Sequence, residues 1–146
     1  MRIKDENKTI EFYILGYQFP NAKYSKPNNP DYDDNWLTVK VEYTENGKAE
    51  TYRDSCVLTW ELKEIMDAIS DVLVSSKSAY ISDFMESYLK FAVAKARDKF
   101  SFTIDFVCDV SEGKWNKINA TQPIDHNQLS AIRDEVKQYL TTYPIK

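Results

Sequence analysis

Residues 34–43 read DNWLTVKVEY and residues 54–62 read DSCVLTWEL, with an Asn46-Gly47 pair between them. In the first segment apolar and polar side chains alternate, which is typical of a half-buried β-strand. The Asn-Gly pair favours the positive φ angles of a tight hairpin turn. This stretch therefore predicts an antiparallel hairpin, and the rest of the fold is worked out from it.

Counting outward from the turn gives the register of this hairpin. It places Val41 opposite Tyr52 and Leu37 opposite Cys56. The second strand then runs into Thr59, whose hydroxyl is of the kind that accepts a hydrogen bond at a helix N-cap. We therefore expect this strand to pass directly into a helix at Thr59.

That helix is predicted over residues 60–75. Its apolar residues recur at spacings of three and four, as on the buried face of an amphipathic helix. They are Leu62, Ile65, Met66, Ile69, Val72 and Leu73. Another face carries Glu64, Asp67 and Asp71, which we expect to be solvated. Trp60, in the first turn, is expected to pack over the hairpin.

A second hairpin is predicted between residues 89 and 106, with its turn at Arg97-Asp98. Its apolar face sets Leu89, Phe91 and Val93 against Phe106, Ile104 and Phe102. The same register places Lys90 opposite Asp105, which is a favourable cross-strand charge pair. Two independent patterns therefore agree on one register. Further on, residues 109–120 predict a turn and a short final strand.

The last helix is predicted over residues 126–142. Asp125 and Gln128 have the spacing of a capping box at its start. An apolar stripe follows at Leu129, Ile132, Val136, Tyr139, Leu140 and Tyr143.

Two further strands, predicted at residues 2–4 and 9–15, complete the fold. The order strands, helix, strands, helix indicates an α+β class. We expect a mostly antiparallel sheet of about six to seven strands, with the two helices packed on it. The length is that of a single domain over residues 1–146.

Composition limits the function classes. The net charge of −4 argues against a nucleic-acid-binding protein, which would show a basic face. No stretch approaches the roughly 18 apolar residues of a membrane span, and the first residues lack the apolar segment of a signal peptide. We therefore expect a cytoplasmic protein in which Cys56 and Cys108 are buried free thiols.

A search for catalytic and metal-binding motifs finds none. The three glycines are far apart, which excludes the clustered-glycine motifs that bind nucleotides. The lone histidine, His126, is interpreted as a surface residue in the first turn of the last helix. One histidine and two distant cysteines cannot make a structural zinc site. We therefore assign no catalytic residue, metal or cofactor.

The candidate binding site is an acidic aromatic patch at the end of the long irregular segment, residues 17–34. It comprises Asp31, Tyr32, Asp33 and Asp34. Tyrosine is enriched at the buried centres of protein interfaces, and charged residues lie at their rims. The alternative interpretation is a solvated turn that caps the next strand. The next candidate surface is the acidic face of the first predicted helix.

The strand Asn35-Trp36-Leu37 and the junction CVLTWEL at residues 56–62 resemble the WapI-like immunity protein family. Members of that family carry an Asn-Trp-Leu strand and a Cys-Leu-Leu-Thr-x-Glu-Leu junction, in which Val57 here replaces the first Leu. The resemblance implies a small acidic bacterial protein that neutralises a cognate toxin domain. The family's named member does so for a tRNA-cleaving nuclease. The resemblance implies no catalytic residues.

Two functions are therefore open. The first is a cytosolic immunity protein that binds a cognate toxin, a basic nuclease, and has no enzymatic activity of its own. The second is a small-ligand-binding protein or an enzyme that uses carboxylates and tyrosines. A flat acidic aromatic patch would favour the first, and a large concave pocket with converging polar groups would favour the second.

Overall fold

The computed structural model describes residues 1–21, 31–111 and 113–146. Residues 22–30, within the predicted irregular segment, lie outside the described residues. The described residues form eight strands and three helices: β1 (Arg2–Asp5), β2 (Lys8–Tyr17), α1 (Tyr32–Asn35), β3 (Trp36–Glu45), β4 (Lys48–Leu58), α2 (Thr59–Leu73), β5 (Ala79–Ile81), β6 (Leu89–Ala96), β7 (Lys99–Ser111), β8 (Lys114–Ile124) and α3 (His126–Thr142). The predicted α+β class is confirmed.

The strands divide between two antiparallel sheets of four strands each, ordered β1-β2-β3-β4 and β5-β6-β7-β8. Each sheet is a meander of consecutive strands, and α2 separates the two meanders along the chain. The edge strands β1 and β8 are joined by hydrogen bonds from backbone N–H groups to side chains, and not by a backbone ladder. The Lys4 N–H donates to Gln122 Oε1 at 2.7 Å, and the Thr121 N–H donates to Asp5 Oδ2 at 3.3 Å.

The first hairpin has the predicted turn, where Asn46 and Gly47 take φ angles of 50° and 79°. Val41 pairs with Tyr52 as expected. The predicted pairing of Leu37 with Cys56 is wrong, because Leu37 lies opposite Val57. A β-bulge at this point inserts Cys56 as an extra residue on β4, so counting from the turn fails beyond it.

The second hairpin is confirmed pair by pair, from Leu89 opposite Phe106 to the turn at residues 97–98. The final strand is longer than predicted, since β7 and β8 pair over most of their length. Another bulge, at Cys108, interrupts their ladder. Cys108 is only half-buried, which corrects the expectation of two buried thiols, while Cys56 is fully buried.

The two long helices begin differently. Asp125 caps α3 as predicted, because its carboxylate accepts the Gln128 N–H at 2.8 Å and the Gln128 side chain returns a bond to the Asp125 N–H at 2.9 Å. The predicted N-cap at Thr59 is wrong. The cap position of α2 is Leu58, and Thr59 is the first helical residue.

One hydrophobic cluster includes side chains from both sheets and both long helices. Within it, Phe12 of β2 meets Phe91 of β6 edge to face, with ring centroids 5.5 Å apart. The ring centroids of Tyr52 on β4 and Phe106 on β7 lie 6.1 Å apart. The two sheets therefore share their apolar faces, and α2 packs beside α3. Within the described ranges, every helix is too short or too polar to cross a membrane.

Candidate functional site

The buried side chain of Asn35 fixes the local geometry of the site. Its Nδ2 atom donates to the Asp31 carbonyl at 2.8 Å and to the Lys146 carbonyl at 3.2 Å. Its Oδ1 atom accepts the Thr59 hydroxyl at 2.7 Å and the Lys146 N–H at 2.9 Å. Because one amide satisfies four groups, α1, the start of α2 and the C-terminal residue are held together.

A second buried polar group, Glu61, secures the other side of the α2 start. One carboxylate oxygen accepts the Leu58 N–H and the other accepts the Met85 N–H, each at 2.7 Å. Burial raises the pKa of Glu61, while these two N–H groups act in the opposite direction. The carboxylate therefore ties the segment after β5 to the first turn of α2.

This arrangement places Tyr32 of α1 on Trp60 of α2. The two rings meet edge to face, with centroids 5.2 Å apart and an interplanar angle of 80°. Tyr32 remains 51% exposed, and Trp60 is half-buried. The contact with Tyr32 was not expected from the sequence, and it leaves an aromatic pair at the surface.

The three aspartates of the predicted patch lie in different environments. Asp31 and Asp33 are exposed, and the Asp31 carboxylate caps α1 by accepting the Asp33 N–H at 3.1 Å. Asp34 is buried, with 8% of its surface accessible. The structure thus brings Asp31, Tyr32, Asp33 and Trp60 together at the surface, and we call these four residues the Tyr32–Trp60 surface.

The outer face of α2 continues from this surface. A shallow groove of 300 Å³ runs from Trp60 to Tyr80 and is lined by Glu64, Asp67 and Asp71. We call it the acidic groove. The candidate patch and the acidic helix face, which the sequence treated as alternatives, are therefore neighbours through Trp60.

The carboxylates of the acidic groove are held in place by their neighbours. Tyr80 donates its hydroxyl to Glu64 at 2.7 Å, and burial together with this bond raises the pKa of Tyr80. Asp71 pairs with Lys77 at 2.8 Å, which lowers the pKa of Asp71. The hydrogen bond and the ion pair therefore orient the carboxylates of Glu64 and Asp71 within the groove.

The described residues contain no group of three or more His, Cys, Asp or Glu side chains that could hold a metal ion. His126 is exposed, and its ring centroid lies 6.3 Å from that of Phe100. Burial raises the pKa of the Cys56 thiol, which keeps it protonated and unreactive. The arrangement around Tyr32 and Trp60 offers aromatic area and negative charge, which suit the binding of a macromolecule.

The sequence does not indicate that Trp60 belongs to the Tyr32–Trp60 surface or that Tyr80 lines the acidic groove. A tryptophan in a first helical turn gives no sign in the sequence that its ring contacts Tyr32. Tyr80 lies in β5, and its bond to Glu64 joins residues that are far apart in the sequence. Neither contact can be predicted without knowing how α1 and β5 lie relative to α2.

The model of the Immunity protein WapI-like family matches residues 1–144, which is nearly the whole chain. A search of curated proteins found no match.

Proposed function

The chain belongs to the Immunity protein WapI-like family, and on this premise we propose that it neutralises a cognate toxin domain by binding it through the Tyr32–Trp60 surface. The observation that carries the proposal is the exposed Tyr32 ring set against Trp60. Tyrosine and tryptophan are the side chains most often found at the energetic centres of interfaces. The buried Asn35 holds this pair in position before a partner arrives, which lowers the entropy lost on binding.

Charge supports a basic partner. The chain has a net charge of −4, and Asp31 and Asp33 lie beside the aromatic pair. Complementary charge at the rim of an interface speeds association and suppresses wrong partners. A nuclease toxin carries basic residues for the phosphate backbone of its substrate. We therefore propose a nuclease domain as the partner, bound in the cytoplasm where such a toxin acts.

The proposal requires no catalysis, in agreement with the non-enzymatic role that the family suggests. The surface grooves described around the molecule have volumes between 90 and 310 Å³. Two of these grooves, at 300 and 310 Å³, reach the lower bound of small-ligand pockets, but they are open to solvent, whereas such pockets enclose most of the ligand. The open grooves seen here give no support to the small-ligand or enzyme alternative.

Growth rescue tests the proposal. A toxin domain identified in the genes that flank the gene of this chain would be expressed in a bacterial host together with the wild-type chain or a variant. We expect the wild type to restore growth and Tyr32→Ala to lose protection. Trp115→Ala is the matched control, because Trp115 is also 51% exposed and also contacts one aromatic ring, that of Tyr88.

Each variant's thermal stability must be measured alongside growth, so that unfolding is separated from lost binding. Failure of the wild type to protect would overturn the proposed function. Equal protection by the wild type and by Tyr32→Ala would place the interface elsewhere.

A further inference from the structure

A second groove lies on the adjoining face of α2, where this helix packs beside α3. It has a volume of 310 Å³ and is lined by Lys63, Met66, Lys137, Leu140, Thr141 and Ile145. We call it the α2–α3 groove. We propose that the toxin seats an apolar side chain in this groove and an adjacent lysine or arginine against the acidic groove. This inference rests on the proposed function and identifies the chemistry of the contacting segment.

The lining of the α2–α3 groove suits an apolar side chain. Met66 and Leu140 are partly buried against the core and form its floor, and Ile145 is 45% exposed. Lys63 and Lys137 line it as well, and lysine side chains cover apolar surface with their methylene stems while their ammonium groups stay in water. The groove therefore combines apolar walls with a charged rim, which is the arrangement found in protein interfaces.

The groove is continuous with the proposed toxin-binding surface. Lys63 lines both the α2–α3 groove and the acidic groove. Ile145 precedes Lys146, whose backbone is bonded to the side chain of Asn35. The side chain of Asn35, which positions α1 and therefore Tyr32, thus also holds Lys146, the residue that follows Ile145. A partner that covers Tyr32 and Trp60 would meet both grooves along α2.

The net charge of the acidic groove indicates which kind of toxin segment binds there. Along the acidic groove three carboxylates, Glu64, Asp67 and Asp71, face two ammonium groups, so the groove is net negative. Lys63 pairs with Asp67, and Lys77 pairs with Asp71. A toxin segment with an apolar side chain next to a cationic one fits this pattern. A second copy of this chain would bring the same net-negative surface against it.

Two matched pairs of variants test the proposal with the purified toxin domain as the probe. Ile145→Asp places a charge in the α2–α3 groove, and Val110→Asp makes the same change at a residue of similar exposure, 48%, on β7. Asp67→Lys reverses a charge in the acidic groove, and Asp98→Lys does so at the β6–β7 turn. Thermal melting of each variant checks that it folds.

We expect Ile145→Asp and Asp67→Lys each to weaken toxin binding by about tenfold or more, the scale of an interface hot spot. The two controls should stay within about twofold of the wild type. A photo-crosslinking residue at position 145 should form a covalent adduct with the toxin domain, whereas one at position 110 should not.

The possible failures are distinct. If the wild-type chain does not bind the toxin domain, the proposed function and this inference fall together. If the wild type binds, but Ile145→Asp binds equally well and position 145 gives no adduct, the function stands and the α2–α3 groove is not part of the interface. If only Asp67→Lys binds normally, the toxin does not place a lysine or arginine against the acidic groove, and that part of the proposal is wrong.

Discussion

Asn35 Oδ1 accepts the hydroxyl proton of Thr59 at 2.7 Å, and both side chains are completely buried. The two residues lie 24 positions apart, one at the end of α1 and the other at the start of α2. Asn35 and Thr59 stand in the two segments, Asn35-Trp36-Leu37 and residues 56–62, that carry the resemblance to the family. The bond between them fixes where Tyr32 and Trp60 come together.

Thr59→Val should lower the free energy of unfolding by about 1 kcal/mol, because Asn35 loses one of two donors to its Oδ1 atom. Asn35→Ala should cost about 1–3 kcal/mol, since it leaves a buried hydroxyl without its acceptor. The double variant should cost less than the sum of the two, because both changes remove the same bond. Urea unfolding measures all three, and strictly additive costs would contradict the pairing.

Much of the fold could be predicted because local patterns decide it. Alternation and a tight turn give the register of the second hairpin, where Lys90 lies opposite Asp105. The capping box at Asp125 likewise depends only on residues close in sequence. The bulge at Cys56 could not be predicted, because an extra residue leaves the alternation on either side intact.

The candidate site was only partly predictable for a related reason. The sequence drew attention to Asp31, Tyr32 and Asp33, but nothing in it showed that Asp34 would be buried. The Tyr32–Trp60 contact depends on a hydrogen bond between distant residues. The residue type of Thr59 fits a helix cap, whereas in the structure its hydroxyl donates to Asn35.

Ile104→Ala should lower the free energy of unfolding by about 2–5 kcal/mol, the range for truncating a large buried aliphatic side chain. Ile104 is completely buried on the inner face of β7. Lys90→Ala, on the outer face of the same hairpin, is the control and should cost less than about 0.5 kcal/mol. Equal costs in chemical denaturation would contradict this assignment of the inner and outer faces.

Glu61 should make a distinct contribution to the pH dependence of stability. Its pKa is raised in the folded protein, so folding favours its protonated form. Its stabilising contribution is fully present below the unfolded value of 4.5 and is lost as the pH rises through the higher folded value. The stability of the wild type relative to Glu61→Gln should therefore fall as the pH rises from 4. Urea unfolding of both proteins at several pH values measures this difference. A rise in the relative stability of the wild type would mean that the two backbone N–H groups outweigh burial.

Replacing Asp31 and Asp33 with asparagine should slow association with the toxin domain and reduce its dependence on salt, because rim charges act mainly on encounter. Dissociation should change little. Asparagine is also a good N-cap, so α1 should persist and thermal stability should be nearly unchanged. Stopped-flow association at several salt concentrations measures this effect. An unchanged salt dependence would remove these carboxylates from the interface.

Titration of the purified toxin domain with the purified chain tests most directly whether neutralisation works by binding. We expect toxin activity to fall in proportion to the added chain and to reach zero at one chain per toxin. Tyr32→Ala should require a large excess. Complete inhibition by a small fraction of an equivalent would reveal turnover by the chain, and full toxin activity in the presence of excess wild-type chain would show that no neutralising complex forms.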